Sequence, residues 1–230
     1  MPAPSASSSG FLYSACPWRF HPDPEELGEL FDGAAEMTLA AHANHAFGRE
    51  PFVYLIDEGV LATYAPITHG LRMTALFTKG SVLGGPKALL HGEPMDLTVL
   101  ALTPVKLRRR DAVQFRRWLA DRPAVELKYL RSLALNHEAQ IDGLLINGID
   151  AVPVRLARLF RTLLEIGGAS GDSSPSGGSA ELPIEPTVEE LGLMIHATRA
   201  VVNRVLVDWE KSGRIARTAR RIRVNSLAGL

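Results

Sequence analysis

The amino-acid sequence predicts an α+β fold made of a β domain, one long helix and a C-terminal winged helix-turn-helix. Three observations support this prediction. Short apolar strands separated by turn residues fill much of residues 51–111, apolar residues recur at heptad spacing through residues 124–149, and residues 187–224 combine two short helices with a basic hairpin. At 230 residues, the chain is long enough for two domains.

The C-terminal segment carries the clearest local signals. Thr187 and Glu190 have the spacing of a capping box, in which each side chain satisfies a free backbone N–H group at the start of a helix. Thr198 is suited to cap a second helix. Two runs with alternating apolar residues, 214–216 and 221–224, follow that helix and are typical of a β-hairpin. These features together predict a complete winged helix-turn-helix.

The second helix of this motif has polar residues near its N-terminal end, where a recognition helix meets base edges in the DNA major groove. Arginine can bond guanine O6 and N7 together, and asparagine can do the same for adenine. Residues 187–230 contain eight basic and four acidic residues, a net charge of +4 in a chain that is neutral overall. We therefore expect sequence-specific binding of a double-stranded DNA operator. The predicted contact residues are Thr187, Thr198, Arg199, Ala200, Asn203, Arg204, Arg217 and Arg220.

The long helix has two apolar faces. One is a heptad seam, and the other is a stripe of Tyr129, Leu133 and Leu145 that we expect to pack on the β domain. A second copy of the helix in a twofold homodimer is the simplest partner for the seam. The alternative is a helix buried inside a monomer. The predicted seam consists of Leu127, Leu130, Ala134, His137, Ile141 and Leu144.

Composition restricts the class of protein. No stretch approaches the roughly 18 apolar residues of a membrane helix, and the N-terminal residues lack the pattern of a signal peptide, so we expect a cytoplasmic protein with no membrane partner. A single cysteine, Cys16, excludes an internal disulfide and a four-cysteine iron–sulfur cluster. No H-x-H motif is present, which argues against a metal-dependent enzyme of the cupin type. We expect no enzyme activity and no metal site. His42 and His45 have a spacing that suits a metal on a helix, but they also fit a solvated loop.

The order of these parts resembles the cyclic-AMP receptor protein / fumarate-nitrate regulator (CRP/FNR) family of bacterial transcription factors. The resemblance spans residues 37–224 and rests on residues 58–60, on residues 79–85 and on the recognition-helix motif at residues 197–206, which continues through residue 215. In the family, the arginines at positions 199 and 204 contact bases and phosphates. This chain departs from the family at two positions. It has Ala200 where family members have a glutamate that reads cytosine, and it has His196 where they commonly have glycine.

The resemblance implies a fold and a division of the chain. It implies a β-roll (double-stranded β-helix) of the cyclic-nucleotide-binding type, a homodimer, and RNA polymerase as a partner. By composition, we expect residues 1–20 to form a disordered or loosely ordered tail. The resemblance then implies that residues 21–122 form the effector-binding β-roll, residues 123–150 the dimerisation helix and residues 151–230 the DNA-binding domain. Effector binding in the β-roll is then expected to shift the DNA-binding conformation.

The residues of the implied effector site differ from those of cyclic-nucleotide binders. The family's phosphate-binding glutamate and Arg-Ser pair correspond here to Gly85, Met95 and Asp96, which supply no cation. We therefore expect an unknown small-molecule effector other than cyclic AMP. The expected pocket residues are Leu83, Gly84, Gly85, Met95, Asp96, His137, Gln140 and Ile141.

Two other interpretations of the effector domain stay open. The first is a haem-based gas or redox sensor with Cys16 or His137 as a ligand, although no cofactor is firmly predicted. The second is a constitutive regulator with a vestigial pocket. His137 could also fix the register of the seam or respond to pH.

Overall fold

The computed structural model describes residues 16–47, 51–67, 70–84, 97–168, 179–219 and 221–227. Its N-terminal half is a β-roll of two four-stranded antiparallel sheets, with strand orders β1-β8-β3-β6 and β2-β7-β4-β5. Apolar side chains from both sheets, such as Tyr54, Leu61 and Phe77, fill the space between them. The expected α+β fold with a β-roll is confirmed. The strands are β1 (Ala35–Leu39), β2 (Asn44–Ala46), β3 (Phe52–Glu58), β4 (Leu61–Ile67), β5 (Gly70–Phe77), β6 (Val82–Leu83), β7 (Thr98–Ala101) and β8 (Val105–Asp111).

Helix α1 (Leu27–Leu30) precedes these strands, and α2 (Ala112–Ala120), α3 (Pro123–Ile149) and α4 (Val152–Ile166) follow them. The Asp111 carboxylate caps α2 by accepting the backbone N–H of Val113 at 2.8 Å. Pro123 and Pro153 occupy the first turns of α3 and α4, where the missing N–H of proline costs no hydrogen bond. The periodicity of apolar residues predicts an amphipathic helix over residues 152–166, and α4 has these same bounds.

The C-terminal part contains β9 (Ala180–Glu181), α5 (Val188–Met194), α6 (Arg199–Lys211), β10 (Ile215–Thr218) and β11 (Arg221–Val224). It packs on the outer face of the β2-β7-β4-β5 sheet, where Ala62, Tyr64 and Met73 join a hydrophobic core that also contains Leu191 and Ile195. This sheet is therefore covered on both faces, and β4 is buried continuously from Leu61 to Tyr64. The outer face of this sheet and the C-terminal domain therefore share one hydrophobic core, separate from the core between the two sheets.

Residues Cys16–Phe20, which we call the N-terminal strap, tie three elements together. Trp18 is buried, donates its backbone N–H to the Ala139 carbonyl of α3 at 2.9 Å, and accepts the Leu76 N–H of β5 at 2.7 Å. The Pro17 carbonyl accepts the Thr162 hydroxyl of α4 at 3.3 Å. Composition assigned these residues to a loosely ordered tail, but burial of the Trp18 ring holds them in the core. Residues 1–15 of that expected tail lie outside the described residues.

The face of α3 that packs on the β-roll differs in part from the predicted stripe. Tyr129 is buried and Leu133 packs against the same core, as expected. Leu145 is 39% exposed, so its expected packing on the β domain was wrong. Small and polar residues take the buried positions in this half of the helix, because the strap and its Trp18 ring lie against Ala139 and Gly143.

Candidate nucleic-acid interface

The first helix of the helix-turn-helix begins with the predicted capping box. The Thr187 hydroxyl accepts the backbone N–H of Glu190 at 3.1 Å, and the Glu190 carboxylate accepts the backbone N–H of Thr187 at 2.7 Å. The backbone N–H groups of Thr187 and Glu190 are therefore both hydrogen-bonded. Leu191 and Met194 of α5 are fully buried in the core. The capping box therefore fixes where α5 begins, and the buried side chains fix how it packs.

A tight turn joins α5 to α6. Its closeness depends on Gly192, where a Cβ would lie only 2.6 Å from the Ala197 carbonyl oxygen. The Ala197 N–H donates back to the Gly192 carbonyl at 2.9 Å. His196 in this turn has φ +53°, a left-handed conformation that favours glycine. This positive φ explains why related motifs prefer glycine at the position of His196.

The second helix, α6, is divided into a buried face and an exposed edge. Its buried face is apolar, and the Trp209 ring meets the Phe160 ring edge-on with 5.8 Å between centroids. The Thr198 hydroxyl accepts the Val201 N–H at 3.4 Å and caps the helix. The exposed edge at the N-terminal end, which we call the reading edge, contains Thr198, Arg199, Ala200, Asn203 and Arg204. Five of the predicted DNA-contacting residues therefore lie together on one solvent-facing edge, and Thr187 is half-buried at the start of α5.

The wing is a three-stranded antiparallel sheet in the order β10-β11-β9. The hairpin was expected, but β9 was not, because two residues of strand carry no period that a sequence can show. Arg217 lies on β10 rather than in the turn, and its guanidinium pairs with the Glu210 carboxylate of α6. This hydrogen bond lowers the pKa of Glu210. Arg221 pairs with Glu185 at 3.0 Å, and Arg220 lies outside the described residues.

Comparison with known proteins supports this geometry. Residues 157–230 match the Crp-like helix-turn-helix domain. A relative described as a CRP-like cAMP-activated global transcriptional regulator, from Mycobacterium tuberculosis, is 26% identical over 161 residues, which is 70% of each chain.

Solved structures show the same fold over most of the chain. FixK2 from Bradyrhizobium japonicum has 19% identity and a TM-score of 0.65 and covers 84% of this chain and 93% of its own. The c-di-GMP responsive global regulator CLP from Xanthomonas campestris has 11% identity and a TM-score of 0.69, with 86% and 97% covered. A CooA mutant from Carboxydothermus hydrogenoformans has 18% identity and a TM-score of 0.65, with 90% and 93% covered.

The chain is therefore similar to CRP/FNR-type regulators. The expected resemblance is confirmed for the fold and for the C-terminal domain.

The expected effector residues that the structure describes are divided between the β-roll and α3. Leu83 is buried between the two sheets, and a Cβ at Gly84 would lie 2.5 Å from a methyl group of Val53. His137 is exposed on α3, and Gln140 and Ile141 are half-buried. Gly85, Met95 and Asp96 lie outside the described residues. Trp18 of the strap packs beside this part of α3, a contact that nothing in the local sequence indicated.

An open groove of about 970 Å³ runs between residues 21–29 and residues 128–135 of α3. Asp23 in its wall is buried, accepts the Val82 N–H at 2.7 Å and bonds the Ser132 hydroxyl. Burial raises the pKa of Asp23 to about 6. Of the expected pocket residues that the structure describes, none lines this groove. Asp23 instead connects β6 to α3, and sequence reasoning missed it because its partners are distant along the chain.

Three of the residues considered as metal or haem ligands, His42, His45 and Cys16, lie outside the helices. His42 lies in the turn between β1 and β2 and His45 on β2, so neither is on a helix. Burial raises the pKa of the Cys16 thiol, which disfavours the thiolate needed for a metal bond. Within the described ranges, no group of three or more His, Cys, Asp or Glu side chains could hold a metal ion. None of the helices described here has the length and apolarity to span a bilayer.

Proposed function

We propose that this CRP/FNR-type regulator binds a specific double-stranded operator as a homodimer. The reading edge of α6 is the observation that carries the proposal. Arg199, Asn203 and Arg204 are all exposed there, on a helix held from behind by Val205 and Trp209. Such a helix can enter the major groove with its N-terminal residues toward the bases.

Each residue of the reading edge has a distinct expected role. Arg199, at the first position of α6, is suited to a bidentate contact with guanine, and Asn203, one turn later, to a contact with adenine. Arg204 is suited to a phosphate or a base. Ala200 offers no hydrogen-bonding side chain, so it can contact only a thymine methyl group. The preferred base at that position should therefore differ from the one that a glutamate reads.

The exposed face of α3 supports the homodimer. Leu127, Leu130 and Leu144 of the predicted seam are each at least 51% exposed in the single chain. Ala134 and His137 are exposed between them, and Ile141 is half-buried. A row of large apolar side chains along one helix is typical of a surface that a partner covers. A twofold pair of α3 helices would present two reading edges to two half-sites about 34 Å apart.

The effector that we propose is not cyclic AMP, although the Mycobacterium tuberculosis relative is described as cAMP-activated. The positions that correspond to the phosphate-binding residues are Gly85, Met95 and Asp96, and Asp96 would repel a phosphate. An effector can change DNA binding only through a difference in its affinity for two conformations of the dimer. Calorimetric titration with cyclic AMP should give no binding heat, and a saturable heat would contradict this part of the proposal.

A constitutive regulator is the second candidate, and the strap favours it. Trp18 bonds Ala139 and contacts Gly143, so a side chain of the same polypeptide fills space beside α3 near the expected effector residues. A protein of this kind would bind its operator at full affinity without any added small molecule. Binding by protein that has been unfolded, stripped of small molecules and refolded would support this candidate over an effector-dependent one.

The central experiment is selection of duplexes from a random-sequence pool by the purified full chain. We expect enrichment of an inverted repeat with half-site centres one helical turn apart, followed by a footprint over both half-sites. A pool that stays random after repeated rounds would overturn the proposed function. With this role we also propose RNA polymerase as a partner and a cytoplasmic location.

A further inference from the structure

The helix-turn-helix contacts the β-roll through a histidine in the turn between β1 and β2. His42 has φ +64°, and its backbone N–H donates to the Ala101 carbonyl of β7 at 2.7 Å, which fixes the turn on the sheet. Its side-chain Nδ1 lies 2.8 Å from Oε1 of Glu190. The other carboxylate oxygen of Glu190 accepts the Thr187 N–H of the capping box. One buried carboxylate therefore joins the β-roll to the start of α5.

A second histidine joins the other end of α5 to the same sheet. His196, in the turn before α6, has its Nε2 3.3 Å from the Met73 carbonyl of β5. Burial lowers the pKa of His196, and the nearby Arg72 and Arg155 lower it further. The ring is therefore neutral near pH 7 and donates its Nε2–H to the carbonyl. Both ends of α5 are hydrogen-bonded to the β-roll.

A buried core lies between these two polar contacts. The hydroxyl of Tyr64 is buried and has no hydrogen-bond partner among the described residues, and burial together with the charge of Glu190 raises its pKa. Met73 and Ile195 pack in the same core. Because an apolar core and two directional hydrogen bonds lie on one surface, α5 has a defined orientation on the sheet.

This docked arrangement leaves the reading edge uncovered. Arg199, Asn203 and Arg204 are exposed while His42 and Glu190 are in contact. The tight turn at Gly192 transmits the orientation of α5 directly to α6. The contact surface of the β-roll therefore lies away from the residues that we assign to the bases.

We propose that the His42–Glu190 pair is a positioning contact through which the β-roll sets the angle of the recognition helix. This inference rests on the proposed DNA-binding function. A domain already held at the productive angle loses less conformational freedom on binding DNA, which raises affinity. Loss of the pair frees the domain to rotate on the segment between α3 and α4, and it weakens operator binding without touching any DNA-contacting residue.

Three variants test the pair in the full-length chain. His42→Gly removes the ring and keeps the left-handed turn, since glycine adopts φ +64° without strain. His42→Asn also tolerates this φ and places an amide N–H near the position of Nδ1, so it should restore the bond. His45→Ala is the matched control, because His45 packs on Phe47 within the β-roll. Each variant is measured against the duplex that the wild type selects.

The expected result is a loss of operator affinity of about fivefold or more for His42→Gly, with recovery in His42→Asn and near wild-type affinity in His45→Ala. Amide hydrogen exchange of α5 and β5, measured without DNA, should rise in His42→Gly alone. Tighter operator binding by His42→Gly would overturn positioning in favour of autoinhibition. Unchanged affinity together with faster exchange would also overturn it. If the wild type selects no duplex, the proposed function fails, whereas the exchange result still reports whether the pair holds the domains together.

Discussion

Gly143 of α3 lies directly against the indole ring of Trp18, so closely that a Cβ on this residue would overlap the ring. The strap contacts the helix at this point, and the backbone N–H of Trp18 donates to the Ala139 carbonyl one turn earlier. A glycine in the interior of a long helix is otherwise unfavourable by roughly 1 kcal/mol relative to alanine. Its presence here is explained by the space that the Trp18 ring requires.

Replacing Gly143 by alanine should therefore destabilise the protein by about 1–3 kcal/mol through overpacking. Gly148 is the matched control, because none of the atoms that the structure describes lies within 4 Å of its hypothetical Cβ. Gly148→Ala should leave stability unchanged or raise it by up to about 1 kcal/mol. Denaturant unfolding of both variants measures the difference. Equal effects at the two positions would show that the strap does not limit the helix.

The unfolding free energy should depend on pH through Asp23. Burial raises the pKa of this carboxyl to about 6 from its ordinary 3.8, so the folded state binds its proton more tightly than the unfolded state does. The protonated carboxyl therefore favours folding below about pH 4, and this contribution is lost as pH rises toward 6. Asp23→Asn keeps the shape without the titration. The stability of the wild type relative to this variant should fall by up to about 3 kcal/mol between pH 4 and pH 7, and parallel pH profiles would contradict the prediction.

Arg199→Ala should weaken operator binding by about 1–3 kcal/mol and relax the base preference at one position of each half-site. The reason is that Arg199 is exposed at the first position of α6, where a side chain reaches the bases. Lys211→Ala, at the opposite end of the same helix, is the control and should keep the base preference. Competition binding against duplexes with single base changes gives the readout. A specificity profile identical to that of the wild type would reject Arg199 as a base-reading residue.

The wing should become more strongly phosphate-binding when Arg217 is released from Glu210. In the structure, these side chains form an ion pair, so the arginine is partly neutralised within the protein. Glu210→Gln removes that competition, and the slope of log affinity against log salt should steepen by up to about 0.9, the value for one added phosphate contact. Glu189→Gln removes the same charge from an exposed position on α5 and serves as the control. Equal slopes in the two variants would show that Arg217 does not contact the operator.

Leu144→Lys should convert the proposed homodimer into monomers. Leu144 is 51% exposed in the single chain, so a lysine there costs the monomer little, but in the dimer the charge would be buried against the partner helix. Leu135 is 47% exposed on the same helix but lies off the seam, so Leu135→Lys is a matched control. Light scattering coupled to gel filtration measures the mass. A Leu144→Lys protein that stays dimeric would place the dimer contact elsewhere.

Local sequence signals were sufficient for the helices and the hairpin of the C-terminal domain. The capping box at Thr187, the cap at Thr198 and the helical period of residues 152–166 each depend on residues only a few positions apart. Such signals act within one turn of helix or one hairpin, so they can be recognised before any tertiary structure is known. The reading edge was predictable for the same reason, since residues 199, 203 and 204 share one edge of a helix.

The missed features depend on contacts between distant residues. His42 and Glu190 are 148 positions apart, and nothing near either residue indicates the other. The Arg108 guanidinium of β8 pairs with Asp57 of β3 at 2.8 Å, and these residues are 51 positions apart. The expected packing of Leu145 failed because the strap, which composition assigned to a tail, occupies the neighbouring surface of α3. Long-range pairing of this kind leaves no periodic trace in a sequence.

The strap also constrains the order in which the chain can fold. Its contacts are with residues 76, 139 and 162, and the Thr162 hydroxyl bonds a carbonyl 145 positions earlier. During synthesis, residues 16–20 leave the ribosome long before α3 and α4 exist, so the Trp18 ring has to wait exposed until both helices have formed. Contacts over such sequence distances are slow to form. The strap is therefore expected to be among the last segments to reach its native position. Nascent chains truncated before residue 162 should leave the Trp18 indole accessible to a quencher.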